Sequence, residues 1–600
     1  MFDEREWPET FSKAENIAKM IQGATYFGDV FQGDLDRKMV HVIVTAKRVD
    51  EGRSDEERDE ITSLPEIIRA YPLLIVLPLG LQAKTDFCKN INYTSPAPSQ
   101  GAKSLNYMDI QRQSDGAIYD GRHPHDGKPT TASPIHIFHP IFEAFIRRLH
   151  RPAQVPACRY LKMVRKIMDQ MTQIRRPEWK RGRDFRNALK EVLNHTPILE
   201  ANDDDTRTDG NIVIEVAGFR IPICMIEIKV EAGEGGCDPS TQAALSVRHF
   251  WVTQENVSLG YLDLLHSELI NIAQFFPIRD KTCCPTILLA GSGAWLTILG
   301  AVFTDRPIVQ RLTDMLWMGN STTHREDRLL HLAHVFLALR DSIQDLSDYY
   351  TAVATDQNMQ AFNKDSNDPH PRFFPYVTSV DCPEVGLIQF KYLRRLEDDA
   401  TCVTFLAQLL DGSGKEIVVK FVTAYGAKVH KMLHEKRYAP ALLYYGPIPT
   451  AGTVLDTIPL PSDQGAQFRR LLPLMSMVVM EYKKPGAWPA SREDAKRQLR
   501  DALGYLHGNG YVFGDLRKPN VLFTEDGRLN LIDFDWAGAY KRGRPEVLGE
   551  PLVDQDYAHY PAGLSCNINW ASGVDDFAAI RPEHDIDMMI KLLDNEYPQQ

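Results

Sequence analysis

Apolar positions recur with two periods along this chain, and the switches between periods mark its elements. Phe11 to Ile21 has helical spacing, Val40 to Thr45 (VHVIVT) alternates like a strand, and Ile67 to Leu81 is apolar but punctuated by Pro72 and Pro78. Asp50 to Glu60 is a charge run that reads as a solvated loop or helix face. Asn92 to Pro134 is rich in Ser, Pro, Gly and Asp without periodicity, which predicts a long mobile loop holding His123 and His125 on its surface. Helical spacing returns over Ile135 to Leu149, over Tyr160 to Met171, and in a helix ending near Asn194. Two strands follow, TDGNIVIEV and IPICMIEIKVE, then a helix over PSTQAALSVRHFW. Cys284 to Phe303 carries no charge, but Gly291-Ser292-Gly293 breaks it centrally. Two buried strands, Thr286 to Ala290 and Trp295 to Phe303, explain it better than a membrane span. His324 to Leu346 is a Leu-rich helix, and the polar tract from Ala354 to Pro371 reads as a linker. Beyond it come two antiparallel strands around IVVKF, a helix over Tyr425 to Arg437, a strand over Met477 to Tyr482, and an amphipathic helix over Arg492 to His507.

The predicted class is α/β and α+β, multidomain. Residues 1–134 form a mixed α/β region with a long polar loop, 135–353 a mixed sheet with helices, 354–372 the linker, and 373–600 a second domain. A length of 600 residues suits two to four domains. The net charge of −12 excludes a global attraction to nucleic acid, so such a site would need a local patch. One candidate patch is Arg175, Arg176, Lys180, Arg181, Arg183 and Arg186, six positive charges in twelve residues; a solvated helix entry is the competing reading. Nine scattered cysteines without a CxxC pair argue for reduced thiols in an intracellular setting, cytoplasm or nucleus. No basic segment followed by an apolar run opens the chain, so no signal peptide or transmembrane helix is expected.

The chemistry concentrates in Gly510 to Gly538, GYVFGDLRKPNVLFTEDGRLNLIDFDWAG. Asp515 and Asn520 lie five apart on a loop between apolar runs, and a strand-like LNLI delivers Asp533. Phosphoryl transfer from a nucleotide needs one carboxylate to orient the attacking hydroxyl, and an Asn and a second carboxylate to hold the magnesium that bridges the phosphates. This stretch resembles the catalytic core of the protein-kinase-like superfamily. Phe513-Gly514-Asp515 stands for His-Arg-Asp, as in aminoglycoside and choline phosphotransferases, and Asp533-Phe534-Asp535 stands for Asp-Phe-Gly. The resemblance covers about Phe373 to Tyr597 and implies a bilobal fold that uses ATP and Mg2+. Asp515 would be the base or orienter, and Arg517 would stabilise charge on the moving phosphoryl group. Asn520 and Asp533 would hold the metal. Lys420 would contact the phosphates, with Glu435 or His430 as its partner on the helix. MVVMEY, including Glu481, resembles the segment that receives the adenine, and Asp585 the acid that braces the catalytic loop. Phe390 to Thr404 has no Gly to cradle phosphates, no Ala-Pro-Glu follows Asp533, and the chain ends soon afterwards. These features imply a shortened C-lobe and an atypical kinase-like domain similar to a group found in fungi.

A second constellation lies upstream. Glu227 and Lys229, two apart on a strand, emerge on one face, and Asp209 opens the preceding strand. With Glu191 on the helix before them and Gln242 on the helix after, the order resembles the PD-(D/E)XK restriction-endonuclease-like core. That likeness implies a Mg2+ or Mn2+ site and DNA cleavage. Fusion of such a region to a kinase-like domain resembles the Crinkler-type effector architectures of fungi and oomycetes. Three functions follow as expectations. The favoured one is an ATP- and Mg2+-dependent Ser/Thr protein kinase with a protein substrate. The others are a pseudokinase that binds a host or regulatory protein, and a DNA nuclease regulated by the kinase-like domain.

Overall fold

The computed structural model describes residues 96–113, 116–150, 156–174, 178–199, 208–216, 219–233, 236–253, 278–320, 322–323, 325–356, 371–382, 385–450, 452–458, 475–540 and 557–598. All fall in one of the two compact units into which the chain divides. The predicted elements at Phe11 to Ile21, Val40 to Thr45 and Ile67 to Leu81 lie outside the described residues.

The described part of the segment expected as a mobile loop, 96–113 and 116–134, is partly helical. Helix α1 spans Ser104–Gln111 and buries Tyr107 and Ile110. Its polar residues bond inward rather than to water. Gln111 Nε2 donates to the carbonyls of Ile118 (2.8 Å) and Arg122 (2.7 Å), Gln111 Oε1 accepts the Ile118 N–H (2.8 Å), and the Tyr107 hydroxyl bonds Asp120 (2.7 Å). Side chains that satisfy backbone groups take the place of a hydrophobic period, which is why composition misleads here. His123 and His125 are exposed, as expected.

Pro140 splits the next predicted helix into a short turn (Ile135–Ile137) and α2 (Ile141–Leu149), because a ring nitrogen cannot continue the hydrogen-bond ladder. Helices α3 (Cys158–Met171) and α4 (Glu178–Leu193) follow. A six-stranded mixed sheet is built from β1 (Gly210–Val216), β2 (Phe219–Lys229), β3 (Thr286–Ser292), β4 (Trp295–Phe303), β5 (Pro307–Arg311) and β6 (Leu316–Trp317). The order is β1-β2-β3-β4-β5, with β6 beside β4. β2 and β3 are parallel, bridged by α5 (Pro239–Thr253); the other pairs are antiparallel. The uncharged stretch is thus two strands about a turn at Gly293 (φ 56°). Among the described residues no helix is long and apolar enough to cross a membrane. The closing helix α6 (Arg325–Thr355) runs nine residues past its predicted end and takes in the first residues of the expected linker.

The second sheet is antiparallel. β7 (Ser379–Cys382), β8 (Gly386–Arg395), β9 (Thr404–Leu409), β10 (Glu416–Val422), β11 (Leu442–Pro447) and β12 (Ser476–Glu481) take the order β11-β12-β10-β9-β8-β7. Helix α7 (Ala427–Glu435) follows β10. Beyond the sheet stand α8 (Arg492–Gly508), capped by the Ser491 side chain, and the terminal α9 (Pro582–Glu596). Between them run β13 (Tyr511–Val512), β14 (Val521–Phe523), β15 (Leu529–Leu531) and β16 (Gly538–Ala539). Leu499, Leu503 and Leu506 of α8 pack with Phe513, Leu516, Leu531, Phe534 and Leu593 into one core. Each such fully buried side chain contributes about 1.5–3 kcal/mol.

The two sheets belong to the same unit and are tied through specific groups. Arg395 makes a two-armed ion pair with Asp305 (3.1 and 2.9 Å). The Ser133 hydroxyl donates to the Cys402 carbonyl (2.6 Å), and Arg147, buried against Glu143, donates to the Ile458 carbonyl (3.0 Å).

Candidate active site

Asp515 sits on the loop after β13, 5% exposed, at the head of the core described above. Its backbone is fixed from below by Asp585 of α9, itself 1% exposed. The Asp585 carboxylate accepts the N–H groups of Phe513 (2.9 Å) and Gly514 (2.8 Å) and lies 3.0 Å from His507 Nε2. Gly514 adopts φ 87°, and a Cβ there would meet Ile580 at 2.8 Å, so the bend into Asp515 requires glycine.

Two further side chains converge on Asp515. Asn520 Nδ2 donates to Asp515 Oδ2 (2.8 Å) and to its carbonyl (3.0 Å). Arg517 grips the same carboxylate with two arms, Nε to Oδ1 and Nη2 to Oδ2 (2.6 Å). Burial pushes the Asp515 pKa up, opposed by Arg517, and the result is a carboxyl above its ordinary range.

Lys420 on β10 is 6% exposed and pairs with both Asp533 and Asp535, each at 2.8 Å. Burial opposes the Lys420 charge, but the two carboxylates outweigh it and the pKa is raised. Burial also works against both acids. Lys420 wins at Asp533, which is held below the usual carboxylate range. Asp535, buried beside the Asp533 charge, is pushed up to about 7. Asp533 has φ 67°, a left-handed conformation that Asp tolerates better than most residues and that turns its side chain toward β10.

Glu435 is not the helix partner of Lys420. It stands exposed at the C-terminal end of α7, whereas α7 meets the Asp533-Phe534-Asp535 segment through its buried residue His430. The His430 ring stacks on Phe534 (4.3 Å between centroids, 11° between planes). His430 Nε2 donates to the Pro440 carbonyl (3.0 Å), so Nδ1 accepts the Tyr425 hydroxyl (2.7 Å). Burial lowers its pKa to about 4, and the ring stays neutral. Gly426 lets α7 approach this motif; its N–H donates to the Phe534 carbonyl (2.8 Å), and a Cβ would fall 2.3 Å from the Ala537 carbonyl. Glu481 ends β12 and pairs with Lys483 (2.6 Å), away from Lys420.

Oxygen donors suit magnesium. Asn520 commits its amide nitrogen to Asp515, which leaves its amide oxygen for a cation, and Asp533 supplies a carboxylate. Both are donors of the type a hard divalent cation takes.

The upstream constellation assembles only in part. Glu227 is 1% exposed, and its carboxylate accepts bonds from Gln242 Nε2 (2.9 Å) and the Ser246 hydroxyl (2.9 Å). Asp209 Oδ2 accepts the Ile228 N–H (2.7 Å), and Lys229 is half-buried at the strand end. Glu191 is elsewhere, exposed and paired with Lys166 (2.9 Å). Arg186 is the α4 side chain that reaches Asp209, through its carbonyl. Arg181, counted in the basic patch, is buried and donates to the Met171 carbonyl (2.7 Å) and to those of Val230 and Gly293. Arg175 and Arg176 lie outside the described residues. Among the described residues no group of three or more His, Cys, Asp or Glu is placed to hold a metal ion.

Sequence spacing missed Asp533 and Asp535 as partners of Lys420, because the left-handed backbone at Asp533 that presents them to β10 leaves no periodic signal. It also missed Trp536, Tyr560 and Trp570 around Arg517, since Trp570 arrives from a distant loop.

No family model matches the chain. It is similar to the serine/threonine-protein kinase PAK mbt of Drosophila melanogaster, 28% identical over 136 residues, which are 20% of this chain and 19% of that protein. It is 28% identical to the serine/threonine-protein kinase PAK 5 of Rattus norvegicus over 102 residues, 16% of this chain and 12% of that protein. With CBL-interacting protein kinase 16 of Oryza sativa subsp. japonica it shares 37% identity over 81 residues, 12% and 18% of the two chains. The chain spans about a fifth or less of the length of these relatives. These partial similarities support a kinase-like domain within it.

Proposed function

We propose that residues 373–600 form a bilobal, protein-kinase-like domain, and that it transfers phosphate from ATP to a Ser or Thr hydroxyl of a protein. The observation that carries this reading is the convergence of Asp515, Asn520, Asp533 and Lys420 from separate sequence positions: Asn520 bonds Asp515, Lys420 pairs with Asp533, and the Asp533 charge acts on Asp515. Asp515 orients the acceptor hydroxyl and takes its proton, helped by a pKa above the carboxylate norm. Arg517 faces the charge that develops on the moving group. Lys420 turns from Asp533 and Asp535 toward the phosphates, and the adenine lies near the end of β12 and Glu481. Magnesium, held by Asn520 and Asp533, would neutralise phosphate charge.

The test is magnesium-dependent incorporation of label from γ-phosphate-labelled ATP into the chain itself and into casein and histone acceptors. Loss of about 100-fold or more in Asp515→Ala supports the reading. No incorporation, or equal incorporation in Asp515→Ala, overturns it.

One observation favours a second reading, a pseudokinase that binds a regulatory protein. The turn between β8 and β9 has no glycine and carries Glu397, Asp398 and Asp399, which would repel phosphates. On this reading ATP binds weakly or not at all, and no phosphate moves.

A further inference from the structure

Arg517 is held by more than its carboxylate. Its guanidinium carbon lies 5.5 Å from the Trp570 ring centre and 5.9 Å from that of Trp536. The two indoles stand 5.9 Å apart at 43°, and the buried Tyr560 packs edge-on to Trp536 at 5.8 Å. Each wall is anchored. The Trp570 indole N–H donates to the Ser565 carbonyl (3.0 Å), and its own carbonyl accepts Lys591 Nζ of α9 (2.6 Å). The Tyr560 hydroxyl meets His584 Nδ1 at 3.1 Å. Trp536 is the residue after Asp535, so one wall belongs to the segment that carries Asp533. The other comes from the loop that stands where ordinary kinases have Ala-Pro-Glu.

We infer that Trp536 and Trp570 are positioning residues that clamp Arg517 onto Asp515 by facing its guanidinium with two indole rings. The inference rests on the phosphotransfer reading for its catalytic consequence but not for its geometry. A guanidinium seated over aromatic faces keeps its charge while losing its freedom. Nε and Nη2 are committed to Asp515, which leaves Nη1 for an anionic group arriving in the cleft. Trp536 couples that arrangement to the placement of Asp533, so the phosphoryl clamp and the metal-binding segment would be set together.

Labelling of Arg517 by hydroxyphenylglyoxal, read residue by residue by mass spectrometry on the full chain, tests the clamp without any need for activity. In the wild type Arg517 should react slowly. Trp570→Ala should speed its labelling about tenfold, the loss expected when one desolvated cation–π contact goes. Trp570→Phe, which keeps a ring face, should restore slow labelling, and Asp515→Ala serves as the positive control for a released guanidinium. An unchanged rate in Trp570→Ala, or equal rates in Trp570→Ala and Trp570→Phe, overturns the inference. Trp536→Leu and Trp536→Phe repeat the comparison if Trp570→Ala does not fold. Phosphotransfer is read in parallel. If the wild type transfers phosphate, Trp570→Ala should lower kcat about tenfold with the KM for ATP little changed, and Trp570→Phe should restore it. A wild type that transfers nothing, with the labelling pattern intact, refutes the catalytic reading and leaves the clamp standing.

Discussion

Removing the Asp585 carboxylate should unfasten the catalytic loop while leaving the rest of the kinase-like region in place. The carboxylate is buried and accepts two backbone N–H groups, from Phe513 and Gly514, at 2.9 and 2.8 Å. In Asp585→Ala both donors are stranded in a dry core. A hydrogen bond to a charged group contributes about 1.5–3 kcal/mol, and each buried orphan costs about 1–3 kcal/mol. The combined loss is therefore about 3–5 kcal/mol if the loop stays buried, less if it opens to water. Local opening is the cheaper path, so amide exchange at Phe513 and Gly514 should rise by about 10- to 100-fold. Asp585→Asn keeps one acceptor oxygen but turns an NH2 toward the other donor, so it should fall between. Hydrogen–deuterium exchange with peptide resolution over 510–520 reads this directly, with the α8 peptides as internal reference. Unchanged exchange in both variants would refute the bracing role of Asp585.

The Lys420 cluster gives three further expectations, and a distant His a fourth. Lys420→Met should destabilise the kinase-like region by about 3 kcal/mol, since it strands two carboxylates paired at 2.8 Å, and the loss should be larger at pH 8 than at pH 6, where Asp535 is protonated; denaturant titrations at both pH values check it. Asp535 has a folded pKa raised to about 7, so the folded state holds its proton where the unfolded chain has released it. Its contribution to stability therefore falls as pH rises from about 5 to 8, and the stability of Asp535→Asn relative to wild type should improve over that window. Glu435→Gln should leave both nucleotide binding and stability within about 0.5 kcal/mol of wild type, because the residue is exposed and remote from Lys420; a tenfold loss of ATP affinity would contradict that placement. His136 is buried without a partner for either ring nitrogen, and its pKa is lowered to about 4. The unfolded chain takes up that proton below about pH 6.5 and the folded chain does not, so stability is lost as pH falls toward 4; His136→Leu should recover up to about 3 kcal/mol there.

Much of the local geometry was legible in sequence because it is carried by short spacing. Asp515, Asn520 and Asp533 lie on one loop and the adjoining hairpin, where chain geometry leaves them few ways to separate. Lys420 was legible from the strand pattern around it. Its partners were not: they are Asp533 and Asp535 from beyond the hairpin, whereas both helix candidates fail, since Glu435 is exposed and His430 packs on Phe534. Glu191 failed for a related reason: helical spacing fixes which residues share a face, not which face meets β1, and Arg186 takes that place. The helix Ser104–Gln111 was hidden by polar residues that bond to backbone rather than to water. Arg181 was misread because a charged residue was assumed to face solvent, whereas it caps three carbonyls in the interior.

The central claim is a nucleotide site built on Asp533 and Lys420. Thermal unfolding of the full chain with millimolar ATP and Mg2+, beside Asp533→Ala, tests it most directly. A ligand that binds only the folded state stabilises it by mass action, about 2.7 kcal/mol at a hundredfold excess over the dissociation constant. The expected result is an upward shift in the melting temperature that needs both ATP and Mg2+ and disappears in Asp533→Ala. No shift in the wild type, or an equal shift in Asp533→Ala, would contradict it.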